Sequence, residues 1–331
     1  MKFLEFALKE DYEKYSLLNE KQIVYNGGKA YGQVVFLAGG AGSGKGFAIS
    51  NFMEGPKFKV IDVDELKMAF QKLDYLNKFT MKQLLAKYGS KIKPHEMEIV
   101  QKQVLDRDYS MKNLNLRTPE HVFALHVLVR ATGAKDKLID MMLDGAKQGK
   151  LPNIIFDTTF KDMDDLNTYV PKLIKMGYDP KSIHVSWVLT NYQVAMKNNS
   201  ERSRVVPDDI LLQTHQGAAR TVFDLIKTGL PKDVDGGFYV ILNNRENTIV
   251  WIDPKTNKPY KSVGKYEKND LIVKDFKYLT LKKPGKPMNT SVEIKKELFS
   301  WIKDNVPPGS LDTKELDKLW NDLKNILIML H

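Results

Sequence analysis

Seven consecutive residues, Gly39-Gly40-Ala41-Gly42-Ser43-Gly44-Lys45, make a glycine-rich turn that ends in a lysine. Glycines at this density let successive backbone N–H groups turn inward around an anion. A lysine at the end can follow charge along a polyphosphate. The spacing Gly39-xxxx-Gly44-Lys45 is that of a phosphate loop for a nucleoside triphosphate, ATP above all. Gly40, Ala41, Gly42, Ser43, Gly44, Lys45 and Gly46 are the residues expected around the phosphates, and the helix that starts at Lys45 would point its positive end at the same anion. A glycine turn without any ligand is the bland alternative. The pattern calls for Ser or Thr after the lysine, where a hydroxyl binds Mg2+. Gly46 stands there and Phe47 follows, so neither offers a side-chain oxygen. Triphosphate charge still has to be neutralised during transfer. Mg2+ is therefore expected, held by phosphates, water and a carboxylate such as Asp157.

Two acidic segments could do proton chemistry beside such a loop. Asp62-Val63-Asp64-Glu65-Leu66-Lys67 follows a short strand, beyond whose carboxyl end a phosphoryl acceptor lies in this kind of fold. Asp64 is the expected general base. Asp62 is the alternative, or else it orients Lys45 or a metal-bound water. Lys67, one turn into the following helix, could hold an anionic acceptor. The plain alternative is an aspartate that caps a helix among solvated neighbours. Asp157-Thr158-Thr159 also follows an apolar strand: Asp157 would bind metal through water and Thr158 would touch phosphate or acceptor, or the segment simply caps the helix expected over 160–177.

Two of the seven arginines, Arg202 and Arg204, lie in a polar stretch before Val205-Val206-Pro207. Arginine forks suit phosphate oxygens in transit better than lysine does. A mobile lid over about 191–207 would deliver them and exclude water. Arg220 is a further candidate; the alternative is an exposed helix in which Glu201 pairs with a neighbour.

These residues need elements to position them. Gln33–Ala38 is a short apolar strand that runs straight into the glycine loop, and helical spacing follows through Phe47, Ala48, Ile49 and Phe52 until Gly55-Pro56. Further strands are expected at Phe58–Ile61, Asn153–Asp157, Ile183–Leu189 and Phe238–Leu242, with helices near 160–177 and 208–229 between them. Strands alternating with helices predict a parallel sheet covered on both faces. Residues 65–150 read as mostly helical, with a capped start at Thr118-Pro119-Glu120; about 74–135 is an insertion that could cap a substrate. Thr248–Ile252 is expected to pair with the preceding strand through the Asn243–Asn247 turn. The chain should end in helices over about 291–304 and 312–329, and residues 1–20 should form an amphipathic helix.

The fold class is thus an α/β P-loop NTPase, a three-layer α/β/α arrangement around a mainly parallel five-stranded sheet, with a helical insertion and a C-terminal α+β extension. The expected divisions are 1–30 as an N-terminal helical segment, 31–250 as the core and 251–331 as the extension. With 42% hydrophobic and 28% charged residues, the 331-residue chain can bury a sizeable core. Cysteine is absent, which rules out disulfides and thiolate metal sites and fits a reducing compartment. The first residues lack a signal-peptide core, and no apolar run approaches the roughly 18 residues of a membrane span. A cytoplasmic protein with no membrane partner is expected. The formal net charge of +10, mostly lysine, favours a nucleotide or nucleic-acid substrate, or simply marks a solvated lysine surface.

Four features in this order resemble the zeta-toxin and polynucleotide-kinase group of P-loop kinases: the loop at 39–45, Asp-x-Asp-x-x-Lys at 62–67, Asp157-Thr158-Thr159, and Arg202/Arg204 before Val-Pro. The resemblance covers about residues 30–245. It implies ATP-dependent phosphorylation of a hydroxyl on a nucleotide, nucleotide sugar or nucleic acid, with Asp64 as base, Lys45 on the phosphates, Lys67 on the substrate side and Arg202/Arg204 in the lid. Gly46 departs from the family's metal-binding hydroxyl, and Lys197 and Asn198 stand where an earlier lid arginine is common. A nucleotide-dependent nucleic-acid-binding NTPase or switch protein without kinase activity is the alternative.

Overall fold

The computed structural model describes residues 23, 25, 31–53, 58–105, 110–144, 151–202, 204–244, 247–259, 273–289, 291–312 and 314. The helix expected over 1–20 lies outside the described residues, as does nearly all of the one expected over 312–329.

The strands are β1 (Val34–Ala38), β2 (Lys59–Asp62), β3 (Ile154–Asp157), β4 (Ile183–Leu189), β5 (Phe238–Leu242), β6 (Thr248–Val250) and β7 (Val273–Lys282). They form one sheet in the order β2-β3-β1-β4-β5-β7-β6. The first five strands in this order are mutually parallel, while β7 runs antiparallel to both β5 and β6. Among the described residues the sheet is therefore mixed and seven-stranded, where the sequence predicts five strands. Thr248–Val250 does not fold back on β5 as expected, because β7 takes that edge. The physical reason is burial. Every residue of β5 is buried, and a three-residue strand whose Ile249 is exposed cannot cover that edge. β7 spans ten residues and brings Phe276, Leu279 and Leu281 into the core.

All five residues of β1 are buried, and they alternate between two cores. Val34, Phe36 and Ala38 belong to one cluster, Val35 and Leu37 to the other. A strand buried on both faces is what the continuous apolar run predicts. The helices in chain order are α1 (Lys45–Asn51), α2 (Val63–Tyr75), α3 (Met81–Tyr88), α4 (Pro94–Leu105), α5 (Pro119–Ala131), α6 (Ala134–Asp144), α7 (Asp164–Lys175), α8 (Tyr192–Glu201), α9 (Asp208–Thr228) and α10 (Val292–Asn305). Residues of α6, α7, α9 and α10 cover the first face; α1, with Ile23 and Tyr25, covers the second. The result is a three-layer α/β architecture in which β7 and α10 share the core of the parallel strands. Among the described residues no helix is long and apolar enough to cross a membrane.

The chain between β2 and β3 builds a third cluster, with Met81, Leu84, Val100, Leu125 and Leu128 inside it and Leu66 and Phe70 of α2 packed against it. Asp74 anchors this helical unit from below: its buried carboxylate accepts from Met81 N, Ser110 Oγ and Lys112 N. Helix α5 starts at Pro119 as predicted, but the Thr118 hydroxyl makes no cap; its carbonyl accepts from His121 N and Val122 N instead.

Phe156 lies at the centre of the larger core, stacked between Phe36 (centroids 4.7 Å apart) and Tyr169 (5.1 Å). Phe156→Ala should lower unfolding free energy by about 3–5 kcal/mol, read from urea midpoints at unchanged m-value.

Candidate functional site

The glycine loop joins the carboxyl end of β1 to α1, at the point where strand order reverses: β3 flanks β1 on one side and β4 on the other. Ligands bind at such a crevice in open α/β sheets. Gly42 and Gly44 sit at φ 74° and 78°, the left-handed region that favours glycine. Side chains from distant segments hold the turn. Thr190 Oγ1 and Asn243 Nδ2 both donate to Ser43 O, each at 2.7 Å. Ala41 N donates to Thr214 Oγ1 at 3.0 Å, and His215 Nε2 lies 2.9 Å from Ala41 O. The Ser43 hydroxyl is buried with no hydrogen-bond partner among the described residues, a stability cost that the loop carries. A Cβ on Gly42 would overlap the Ala195 carbonyl of α8, so this helix lies directly on the loop.

Acids and cations meet beside the loop. Lys45 Nζ donates to Gly39 O at 2.7 Å and stands 3.5 Å from Asp157 Oδ1. Asp62 and Asp157 are register partners at the ends of β2 and β3. Asp62 caps α2: its Oδ1 accepts from Asp64 N at 2.7 Å. Asp64 pairs with Lys67 Nζ at 3.0 Å, and Arg204 grips it through two nitrogens, Nη1 and Nη2. These environments push the three carboxyls apart. Burial raises Asp157 to about 6, although Lys45 opposes it. Burial also raises Asp62, helped by the charge of Asp64. Burial would raise Asp64 too, but the charges of Lys67 and Arg204 outweigh it and bring the carboxyl to about 2.

The arginine arrives on a closed loop. Buried Asn199 pins Val206 from both sides, with Nδ2 donating to Val206 O and Val206 N donating to Asn199 Oδ1. Arg117, from the helical insertion, donates to the carbonyls of Ser200 and Arg202, and Val205 N donates to Leu116 O. The segment that carries Arg204 is thus tied both to α8 and to the insertion. Arg202 sits at the end of α8 and is exposed.

The structure therefore brings Lys45, Asp62, Asp64, Lys67, Asp157 and Arg204 together at one edge of the sheet. Gly40 through Gly46 surround the turn beside them. Asp157 caps no helix, since α7 begins only at Asp164. Thr158 holds the next turn: its Oγ1 accepts from Phe160 N at 3.1 Å, stabilising Phe160 in a left-handed conformation that costs a non-glycine residue about 1–2 kcal/mol. Arg220 turns away, toward the carbonyls of Gly309 and Ser310. Sequence reasoning misses Thr190, Asn243, Thr214, His215 and Arg117. Their only local signal is polar type in or beside an apolar element. Gly46 is open, since a Cβ there meets nothing within 4 Å, whereas Phe47 packs edge-on against Phe52. The missing hydroxyl at 46 is thus no steric necessity. Asp157 and Asp62 are hard oxygen donors of the kind Mg2+ takes.

No family model matches the chain, and no curated protein matches it. Among solved structures, the chain aligns with one from the PezAT chromosomal toxin–antitoxin system of Streptococcus pneumoniae at 10% identity and TM-score 0.36, over 73% of this chain and 78% of that one. It aligns with AvrRxo1-ORF1:-ORF2 with ATP at 9% identity and TM-score 0.39, over 98% and 83%. The native AvrRxo1-ORF1:-ORF2 complex gives 8% identity and TM-score 0.38 over the same shares.

The carboxyl environments set a pH dependence. Asp157 has a native value near 6, against about 3.9 in the unfolded chain. Its contribution to stability is full below about pH 4 and is lost as pH rises through about 6. Asp64 acts in the opposite sense, with a contribution present above about pH 4 and lost as pH falls toward 2. Asparagine mimics the protonated acid, so Asp157→Asn should gain stability relative to wild type between about pH 5 and pH 7.5, measured by urea unfolding. A difference that stays constant over that range would show that Asp157 ionises normally.

Proposed function

We propose that this protein is an ATP-dependent phosphotransferase that moves the γ-phosphate to a hydroxyl of a nucleotide, nucleotide sugar or nucleic acid, acting in the cytoplasm. The supporting observation is the pair of contacts beside the glycine loop, Lys45 with Asp157 and Asp64 with Arg204 of the lid segment. Residues 31–250 would be the catalytic core, the insertion over about 74–135 a cap over the acceptor, and 251–331 an extension. Loop amides and Lys45 hold the triphosphate, and Lys45 exchanges Gly39 O and Asp157 for phosphate oxygens. Asp64 accepts the proton of the attacking hydroxyl. Lys67 and Thr158 face the acceptor.

Arg204 gives this chemistry an order. A carboxyl near 2 is a weak base, and Asp64 is held there by Lys67 and Arg204 against the effect of burial. As the nucleotide enters, its γ-phosphate offers Arg204 a second anion that suits the guanidinium fork equally well. Transfer of Arg204 from Asp64 to the phosphate frees one face of the base. Burial, less opposed, then raises the basicity of Asp64. The acid becomes competent only when there is a phosphoryl group to transfer, which limits hydrolysis of ATP by water. Arg202, beside it in the lid, adds charge to the same phosphate. Mg2+, held by Asp157 and Asp62, would supply charge neutralisation.

Gly46, with no hydroxyl for a metal, favours one other reading, a nucleotide-dependent nucleic-acid-binding NTPase or switch. Incubation with γ-labelled ATP and a panel of oligonucleotides with 5′-hydroxyl ends, nucleosides, nucleotide sugars and protein separates the two. Label on one acceptor class supports the kinase; phosphate release with no labelled acceptor supports the NTPase. Lys45→Ala should abolish transfer. Asp64→Asn should cut turnover about 100-fold or more while ATP affinity stays near wild type. Full turnover in that variant would transfer the base role to Asp62. Gly46→Ser places a hydroxyl in open space, so it should lower the Mg2+ concentration needed for half-maximal ATP binding, measured by titration calorimetry. An unchanged Mg2+ requirement would mean that the metal does not reach position 46.

A further inference from the structure

We infer that Thr214 and His215 of α9 are positioning residues that set the shape of the phosphate loop and so its affinity for a triphosphate. This rests on the proposal that the loop binds one. Both backbone polar groups of a single loop residue, Ala41, are held by adjacent side chains of one helix: Ala41 N by Thr214 Oγ1 at 3.0 Å, and Ala41 O by His215 Nε2 at 2.9 Å. Neither contact is ambiguous in direction. The Thr214 hydroxyl donates its own proton to Leu211 O at 2.7 Å, which leaves a lone pair for Ala41 N. The carbonyl of Ala41 can only accept, so Nε2 of His215 carries the proton. Burial keeps this imidazole neutral around pH 7, with Lys45 acting in the same sense and the bond to Ala41 opposing.

The imidazole also lies flat against the preceding residue. A Cβ on Gly40 would overlap His215 Cδ2, Cγ and Nε2. Gly40 does not have a positive φ, so the conformation there is open to other residues. The glycine at 40 is therefore demanded by His215 rather than by backbone strain. On its other side the loop meets Ala195 of α8 at Gly42. α9 itself begins one residue after Pro207, at the root of the segment that carries Arg204, and is a single 21-residue helix. The brace on the loop and the foot of the lid thus belong to one rigid element. Neither side chain reaches the reacting atoms, so the expected signature is on nucleotide affinity rather than on the chemical step.

The test uses the full-length protein, with ATP binding by titration calorimetry and turnover at saturating ATP measured in parallel. At similar volume, His215→Leu deletes the hydrogen bond to Ala41 O, and Thr214→Val deletes the one from Ala41 N together with the hydroxyl's own bond to Leu211 O. Each should raise the dissociation constant for ATP about threefold to tenfold, the size of one hydrogen bond, with turnover at saturation nearly unchanged. Thr214→Ser and His215→Gln, which keep the acceptor and the donor, should restore most of the affinity. The steric arm is independent of folding losses: Gly40→Ala should weaken binding in the wild type and cost less in a His215→Ala background. Unchanged affinity in Thr214→Val and His215→Leu overturns the inference. So does equal cost of Gly40→Ala in both backgrounds, or lost turnover at unchanged affinity. Wild-type protein that binds no ATP would instead overturn the phosphate-loop proposal itself.

Discussion

Three carboxylates and three cations meet at the carboxyl ends of β1, β2 and β3. Asp62, Asp64 and Asp157 are partly buried there, which penalises their charged forms unless they are paired. Lys45 pairs with Asp157, Lys67 and Arg204 pair with Asp64, and Asp62 accepts from the backbone of Asp64. The segment that carries Arg204 is held by this contact with Asp64 as well as by its own hydrogen bonds. Residues 45, 64, 157 and 204, far apart in the chain, are thereby bound into one electrostatic unit.

The backbone that carries these charges is held just as firmly. Thr190 and Asn243 fix Ser43 O from the ends of two neighbouring strands, and α9 fixes Ala41. Asn199 closes the loop that carries Arg204, and Arg117 ties that loop to the chain between β2 and β3. The insertion in turn hangs on α2, the helix of Asp64 and Lys67, through Leu66, Phe70 and Asp74. A change at the arginine would therefore be felt by the residues between β2 and β3 and by α2 together.

Much of this was legible from residue type alone. Density of glycine before a lysine specifies a loop whatever surrounds it. An apolar run such as Val34–Ala38 specifies a strand buried on both faces. Asp62 and Asp157 are recognisable because an acid directly after such a run has to lie at the strand's end. The arginines were legible as a pair, but nothing local distinguishes Arg204, which reaches Asp64, from Arg202, which is exposed. β7 was missed because its lysines, at 274, 277 and 282, mask an apolar pattern that changes face between Tyr278 and Leu279. The place of β6 was misread for a related reason: pairing with the preceding strand is the short-range choice, and only the larger apolar area of β7 overrides it.

What the sequence alone determined is therefore local: the glycine loop, the parallel strands and the positions of acids at their ends, each dictated by backbone freedom, burial or strand length within a few residues. What only the tertiary structure decided is pairing across long separations. That Arg204 rests on Asp64, that Thr214 and His215 grip Ala41, and that β7 closes the edge of β5 all depend on contacts between residues 35 to 174 positions apart. Such contacts leave no periodicity in the chain. They are selected by the free energy of burying charge, hydrogen-bonding groups and apolar surface together, which exists only once the chain has folded.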